Sequence, residues 1–147
     1  MRTVLFLLAA AFLVITGCKT KEESNPIEGA WNLFYVKNVV NDKVVSEFPI
    51  TYQGSDIKIW TKEHWCFVGR YVQDTVHSDD YGGGTYTISG NVYVENIEYH
   101  AHKSYVGQKI KMLMTVKSDT LIQIWPMDDK GDIDKSNCHV ERYIRLK

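Results

Sequence analysis

The sequence predicts an all-β domain, folded as an eight-stranded antiparallel up-and-down barrel. Residues 28–147 contain eight short runs rich in aromatic and β-branched side chains, which strands favour. Turn-forming residues separate these runs at near-regular intervals, and helical periodicity is nearly absent from the region. Many short strands with this spacing are typical of barrels and sandwiches, so an antiparallel sandwich is the alternative.

Each predicted strand carries one apolar face, as an antiparallel sheet around a single core requires. In chain order the strands are predicted at Gly29–Lys37, Asp56–Thr61, His64–Val72, Thr85–Ser89, Val92–His100, Lys109–Lys117, Thr120–Trp125 and His139–Leu146. Short turns such as Ser89-Gly90-Asn91 and Lys117-Ser118-Asp119 suit hairpins. The Val-rich segment Val39–Ser46 is predicted to form a turn or an irregular lid.

The N-terminal residues predict an exported chain. Arg2 precedes an apolar run, Val4–Ile15, that is shorter than the roughly 20 residues a membrane-spanning helix needs. Thr16-Gly17-Cys18 and a polar stretch follow this run, and these are the parts of a secretory signal peptide. We therefore expect a signal peptide at 1–17, a tether at 18–27 and the barrel at 28–147. A retained helix or ordinary secretion is the alternative.

A cysteine directly after Thr-Gly resembles the lipobox of bacterial lipoproteins. The resemblance implies cleavage before Cys18, acylation of its thiol and attachment to the membrane through the lipid. Lys19, rather than Asp, follows the cysteine, and in such proteins this favours the outer membrane. Lys21-Glu22-Glu23 is similar to signals that send some lipoproteins to the cell surface, although a solvated tether explains it equally well. The expected location is the bacterial outer membrane, on its periplasmic face or at the cell surface.

Charge and cysteine content exclude some classes of protein. The formal net charge is −1, and no basic stripe is present, which argues against nucleic-acid binding. Cys66 and Cys138 remain after Cys18, and two cysteines at this spacing form neither a disulfide scaffold nor a metal knuckle. They could pair in an oxidising compartment or remain as two largely buried free thiols.

The start and end of the barrel segment resemble the lipocalins. Gly29-Ala30-Trp31 opens the first strand, and Tyr143-Ile144-Arg145 closes the last. The chain from residue 28 onward is similar to small bacterial lipocalin-like (calycin-type) lipoproteins of unassigned function. The resemblance implies that Trp31 plugs the closed end of the barrel and that an Arg of the last strand packs on its indole face. Arg145 is the better candidate and Arg142 the second.

Alternation with period two predicts an aromatic-lined interior. A cup for a small apolar or aromatic ligand would be lined by Tyr35, Phe67, Tyr71, Tyr86, Tyr93, Glu95 and Tyr99. The alternative is that these rings simply fill the barrel. Glu95 shares its face with apolar side chains, so it either points inward with Arg70 or a Tyr hydroxyl as partner, or turns outward.

No motif predicts a catalytic, cofactor or metal site. His100-Ala101-His102 has a spacing that can hold zinc, but no recognisable set completes it. Gly82-Gly83-Gly84 lacks the context of a phosphate loop. We therefore expect no enzyme activity, no cofactor and no metal. The predicted function is an envelope lipoprotein whose barrel binds a small apolar or aromatic ligand. The alternative is a structural or interaction lipoprotein with a filled barrel that contacts another envelope protein.

Overall fold

The computed structural model describes residues 25–147, so the predicted signal peptide, Cys18 and most of the predicted tether lie outside the described residues. Within that range the chain forms nine strands and one short 3₁₀ turn, Lys103–Tyr105. The strands are β1 (Gly29–Val40), β2 (Lys43–Phe48), β3 (Gln53–Trp60), β4 (His64–Gln73), β5 (Val76–Ser89), β6 (Val92–His100), β7 (Lys109–Lys117), β8 (Thr120–Trp125) and β9 (Cys138–Arg145).

Eight of the strands in the described range close into an antiparallel barrel, which confirms the predicted fold class. From β3 to β9 each strand pairs with the next one along the chain. β9 pairs with β1, and the first residues of β1, Gly29–Asn32, pair back onto β3. The eight closing strands correspond to the eight predicted from the sequence, and hairpin turns join most of them. The result is a lipocalin-like up-and-down barrel.

The prediction of a turn or an irregular lid over Val39–Ser46 is correct for the turn and wrong for the lid, because the residues after the turn form the strand β2. Asn41 and Asp42 take positive φ values of 50° and 61° and form a tight turn, which lets the Val-rich segments on either side pair as a hairpin. β2 pairs with β1 from Val36 to Val40. One edge of β1 therefore pairs with two strands. Its first residues, Gly29–Asn32, pair with β3, and its last residues, Val36–Val40, pair with β2.

This sharing leaves a gap in the hydrogen-bonded ladder of the barrel wall. The β1–β3 ladder ends at the pair Asn32–Ile57. Beyond it, β3 residues 53–56 pair only with β4 in the described structure, while β1 continues along β2. We call the gap between β2 and residues 53–56 of β3 the seam.

Two irregularities in the ladders redirect side chains that strict alternation would place inside. The β1–β9 register shifts between Leu33 and Tyr35, and the β5–β6 register shifts opposite Ile97 and Tyr99. A bulge adds a residue to one strand and reverses the facing of everything after it. Tyr35 therefore lies on the outer wall, and Tyr99 is 68% exposed. The prediction that these two rings line the interior is wrong.

The closed end of the barrel is built around Trp31, which is fully buried. The Arg145 guanidinium lies 4.0 Å from the centre of the indole ring and donates hydrogen bonds to the carbonyls of Pro26 and Glu28. The indole Nε1 donates to the carbonyl of Ile27 at 2.8 Å. The expected Trp31–Arg145 contact is therefore present, whereas Arg142 lies over the outer ring of Tyr35. Residues 25–27, predicted as part of the tether, pack here, and Ile27 is fully buried.

The glycine run in β5 serves close packing within the sheet. β5 begins at Val76, well before its predicted start at Thr85, so the run lies inside a strand. A Cβ at Gly84 would lie 2.0 Å from the Asn96 carbonyl oxygen, and one at Gly82 would lie 2.5 Å from the Phe67 ring. Neither position could carry a side chain without displacing its neighbour.

The two cysteines of the described range are both free thiols, so the possible Cys66–Cys138 bridge is not formed. Cys138 is buried, as the free-thiol alternative expects, but Cys66 is exposed. Cys66 follows Trp65, whose side chain is buried, and in a strand the next residue points to the opposite face.

Candidate functional site

The barrel interior divides into a packed closed end and a cavity of about 490 Å³ toward the other end. Aromatic rings supply much of the cavity wall, and they are Tyr52, Trp65, Phe67, Tyr71, Tyr105, Trp125 and Tyr143. The volume lies within the range usual for small-molecule sites. Side chains therefore fill only the closed half of this barrel.

The seven residues predicted to line a ligand cup separate into three groups. Phe67, Tyr71 and Glu95 line the cavity. Tyr86 and Tyr93 face inward but pack against each other in the core, with ring centres 5.3 Å apart. The remaining two, described above, lie outside. The cavity thus contains fewer of the predicted aromatic residues than expected, and its polar groups other than Glu95 come mostly from positions that were not predicted.

The floor of the cavity is a buried ion pair between Lys58 on β3 and Glu95 on β6. The Lys58 Nζ donates to Glu95 at 2.6 Å and to the Gln123 side-chain oxygen at 3.2 Å. The Tyr93 hydroxyl donates to the same Glu95 oxygen at 3.1 Å. Of the two partners expected for Glu95, the Tyr hydroxyl is correct and Arg70 is wrong, because Arg70 pairs with Asp79 on the outer wall.

The surroundings favour the charged form of Lys58 but oppose that of Glu95. Burial lowers the pKa of Lys58, but the adjacent carboxylate of Glu95, together with those of Glu141 and Asp56, raises it overall. Burial raises the pKa of Glu95, and the ammonium of Lys58 opposes this shift. The ammonium also lies 4.8 Å from the centre of the Trp65 ring and 5.2 Å from that of Trp60, where an indole attracts a cation.

Asp56 precedes Lys58 by two residues on β3, on the side nearer the open end of the barrel, and it lines the cavity. It is 4% exposed, and its Oδ2 accepts a hydrogen bond from the Tyr71 hydroxyl at 2.9 Å. Its Oδ1 is buried and has no hydrogen-bond partner. Desolvation raises the pKa of Asp56 to about 6, although the hydrogen bond from Tyr71 opposes the shift. Gly69 leaves room for this contact, because a Cβ there would lie 2.9 Å from Oδ2.

Glu141 on β9 is the third carboxylate of the inner wall, and both of its oxygens are occupied. His139 contacts Oε1 at 3.1 Å, and the Tyr143 hydroxyl donates to Oε2 at 2.6 Å. Burial opposes ionisation of Glu141, but these two contacts and the charge of Lys58 outweigh it and lower the pKa to about 2. Unlike Asp56, Glu141 has its hydrogen-bonding capacity satisfied within the protein.

Histidines near the cavity rim do not assemble a metal site. His100 and His102 line the cavity, with ring centres 5.7 Å apart, and His100 packs on Tyr105 at 4.7 Å. Burial lowers the pKa of His100. Within residues 25–147 no group of three His, Cys, Asp or Glu side chains is arranged to hold a metal ion.

Sequence reasoning missed the polar residues Asp56 and Lys58, although they share a strand face with Trp60. Polar and apolar residues do alternate in β3, but the apolar residues next to Asp56 and Lys58 are Ile57 and Ile59. The alternation therefore predicts that the two isoleucines, and not Asp56 and Lys58, face the interior. In the structure those two isoleucines lie on the outer wall, 37% and 38% exposed. The polar-inside arrangement of β3 is thus the reverse of the usual pattern.

No protein-family model and no curated protein matches the sequence of this chain. In the part of the chain that the structure describes, none of the helical segments has the length and apolar character needed to cross a membrane.

Proposed function

We propose that this protein is a membrane-anchored envelope lipoprotein whose barrel binds a small apolar or aromatic ligand. The cavity carries the proposal. It is lined by aromatic side chains, it lies opposite the Trp31 plug, and it has a small set of polar groups at its floor and wall. Apolar walls with few convergent polar groups are typical of small-molecule sites. The lipobox-like Cys18 supports attachment through an N-terminal lipid, with the outer membrane as the proposed location.

Phe67 and Tyr99 provide a matched pair of aromatic residues to test binding. Phe67 lines the cavity, whereas Tyr99 points to solvent. We expect the full-length chain to bind Nile red, a neutral fluorescent apolar probe, and Phe67→Ala to weaken binding by about tenfold, because a lost ring contact of about 1.4 kcal/mol has that effect. Fluorescence titration measures both dissociation constants.

Tyr99→Ala is the control and should leave the dissociation constant for Nile red unchanged. Equal losses in the two variants would contradict a site inside the barrel. An absence of Nile red binding to the wild-type chain, together with no co-purifying small molecule by native mass spectrometry, would contradict the proposed function.

Anchoring is tested through Cys18. Labelled palmitate should enter the wild-type protein in bacterial cells, and Cys18→Ala should move the protein out of the membrane fraction, because stable attachment depends on the acyl chains. Cys66→Ala removes another accessible thiol and should leave both labelling and fractionation unchanged. A Cys18→Ala variant that stays with the membranes would contradict the lipoprotein assignment.

A second candidate function, contact with another envelope protein, is favoured by the outer wall. Apolar side chains form a cross-strand row over β9, β1, β3, β4 and β5, interrupted only by Asn32, and the row runs Ile144, Asn32, Ile57, Val68 and Tyr81. Its four large members are 37–61% exposed. Exposed apolar surface of this kind is typical of interaction sites.

A further inference from the structure

We infer that the ligand carries a protonated amine, and that Asp56 is the residue that binds it. This inference rests on the proposed function, because it names the class of ligand for the same cavity. Its starting point is the free oxygen of Asp56. Buried polar atoms in proteins almost always have a partner, and Oδ1 of Asp56 is the buried side-chain oxygen or nitrogen without one in the described residues.

The other carboxylates of the cavity are already engaged. Glu95 is paired with Lys58, and Glu141 receives His139 and Tyr143. Asp80 accepts a hydrogen bond from the backbone N–H of Tyr81. Asp56 is thus the carboxylate of the cavity lining that combines deep burial with an unused acceptor.

The charge balance of the cavity favours a cation over a neutral donor. Four carboxylates line it, from Asp56, Asp80, Glu95 and Glu141, together with the ammonium of Lys58 and the imidazoles of His100, His102 and His139. Because Lys58 is paired with Glu95 and His139 with Glu141, the carboxylates of Asp56 and Asp80 carry the remaining negative charge. An ammonium would satisfy the free oxygen and reduce this excess, whereas a hydroxyl would do only the first. A charge-assisted hydrogen bond is also roughly twice as strong as a neutral one.

Aromatic rings beside Asp56 suit the body of such a ligand. Tyr71, Tyr52 and Phe67 lie on the cavity wall, with Tyr71 and Tyr52 in edge contact at 5.7 Å. The faces of aromatic rings attract cations as well as apolar groups. The ligand class is therefore an amine on an aromatic or alkyl body small enough for about 490 Å³.

The test compares amines with alcohols of the same shape. Isothermal titration of the full-length chain would use tryptamine against tryptophol, and octylamine against octanol. We expect at least one amine to bind at least tenfold more tightly than its alcohol. Asp56→Asn, which keeps the shape and removes the charge, should abolish that preference and leave the alcohol affinities within about twofold. The absence of any amine preference in wild type, or its persistence in Asp56→Asn, would overturn the inference.

The pH dependence of binding gives a second readout. The titratable groups that face Asp56 are Lys58 on its own strand, Tyr71 on β4, Asp80 on β5, Glu141 and Tyr143 on β9, and Tyr52 between β2 and β3. Tryptamine stays protonated over the range in which Asp56 ionises, so its affinity should rise as pH increases through about 6. The rise should be absent in Asp56→Asn, and a rise that persists there would contradict the role of Asp56.

Loss of folding would not imitate these results. Folding raises the pKa of Asp56 to about 6. Such a group stabilises the fold at pH values below its ordinary pKa, and this stabilisation is lost as pH rises through about 6. Asp56→Asn removes that loss, so at pH 8 the variant should be at least as stable as wild type. Failure of the inference is distinct from failure of the proposed function, because Nile red and the alcohols would still bind if only the amine preference were wrong.

Discussion

Replacing Trp31 with alanine should lower the free energy of unfolding by about 3–5 kcal/mol, the usual cost of truncating a large buried aromatic side chain. The indole is fully buried and its Nε1 holds the Ile27 carbonyl at 2.8 Å, so the variant loses both packing and a hydrogen bond. Small domains have total stabilities of about 5–15 kcal/mol. Urea denaturation followed by circular dichroism measures the loss.

Two arginines serve as graded controls for Trp31→Ala. Arg145→Ala removes the guanidinium from the indole face and its bonds to two carbonyls, and it should cost less than Trp31→Ala because the core stays filled. Arg142→Ala removes a similar contact on the outer ring of Tyr35 and should have the smallest effect. A Trp31→Ala protein as stable as wild type would contradict the role of the plug.

Replacing Lys58 with methionine should be comparably damaging, at about 3–5 kcal/mol, because it leaves the buried carboxylate of Glu95 without its cation. Both side chains of the pair are at most 5% exposed, so the carboxylate of Glu95 would have little contact with water in place of the lost ammonium. The penalty should shrink as pH falls, because Glu95 can then be protonated. The double variant Lys58→Met/Glu95→Gln should recover part of the loss, since it removes both charges.

Arg70→Met is the matched control for Lys58→Met. The Arg70–Asp79 pair has the same 2.6 Å separation, but its side chains are 69% and 65% exposed. Exposed pairs contribute little to stability, so the urea midpoint of this variant should stay close to that of wild type. If Lys58→Met and Arg70→Met lowered the urea midpoint equally, burial would not explain the contribution of the Lys58–Glu95 pair to stability.

The fold could be predicted from the sequence because it depends on local signals. Aromatic and β-branched runs, separated by turns, are enough to place the eight closing strands. The position of the plug came instead from the resemblance of Gly29-Ala30-Trp31 to the opening of the lipocalins. The hairpin from β1 to β2 was missed because Val39–Ser46 is short and its turn residues, Asn41 and Asp42, were not recognised as compatible with positive φ.

The site was less predictable because its geometry depends on pairing between distant segments. Tyr35 and Tyr99 follow the alternation of their strands, and only the ladder shifts after Leu33 and Ile97 turn them outward. A bulge is a property of two strands together, so one strand's pattern cannot show it. Lys58 and Glu95 are likewise 37 residues apart, and nothing local marks them as partners.

The seam affects which ligands the barrel can select. A continuous ladder would force a molecule to enter along the barrel axis and would limit it to the length of the cavity. Ser46 and Tyr52 belong to the β2 side of the seam and to the cavity lining, and Asp56 is the last β3 residue before the β1 ladder begins. At the seam the limit is set by side chains instead of a ladder, because the Tyr52 ring lies 5.4 Å from that of Phe48 and 5.7 Å from that of Tyr71, between centres. The size of the group that fits beside Asp56 would then depend on the packing of these rings, which a single substitution can change without altering the strands.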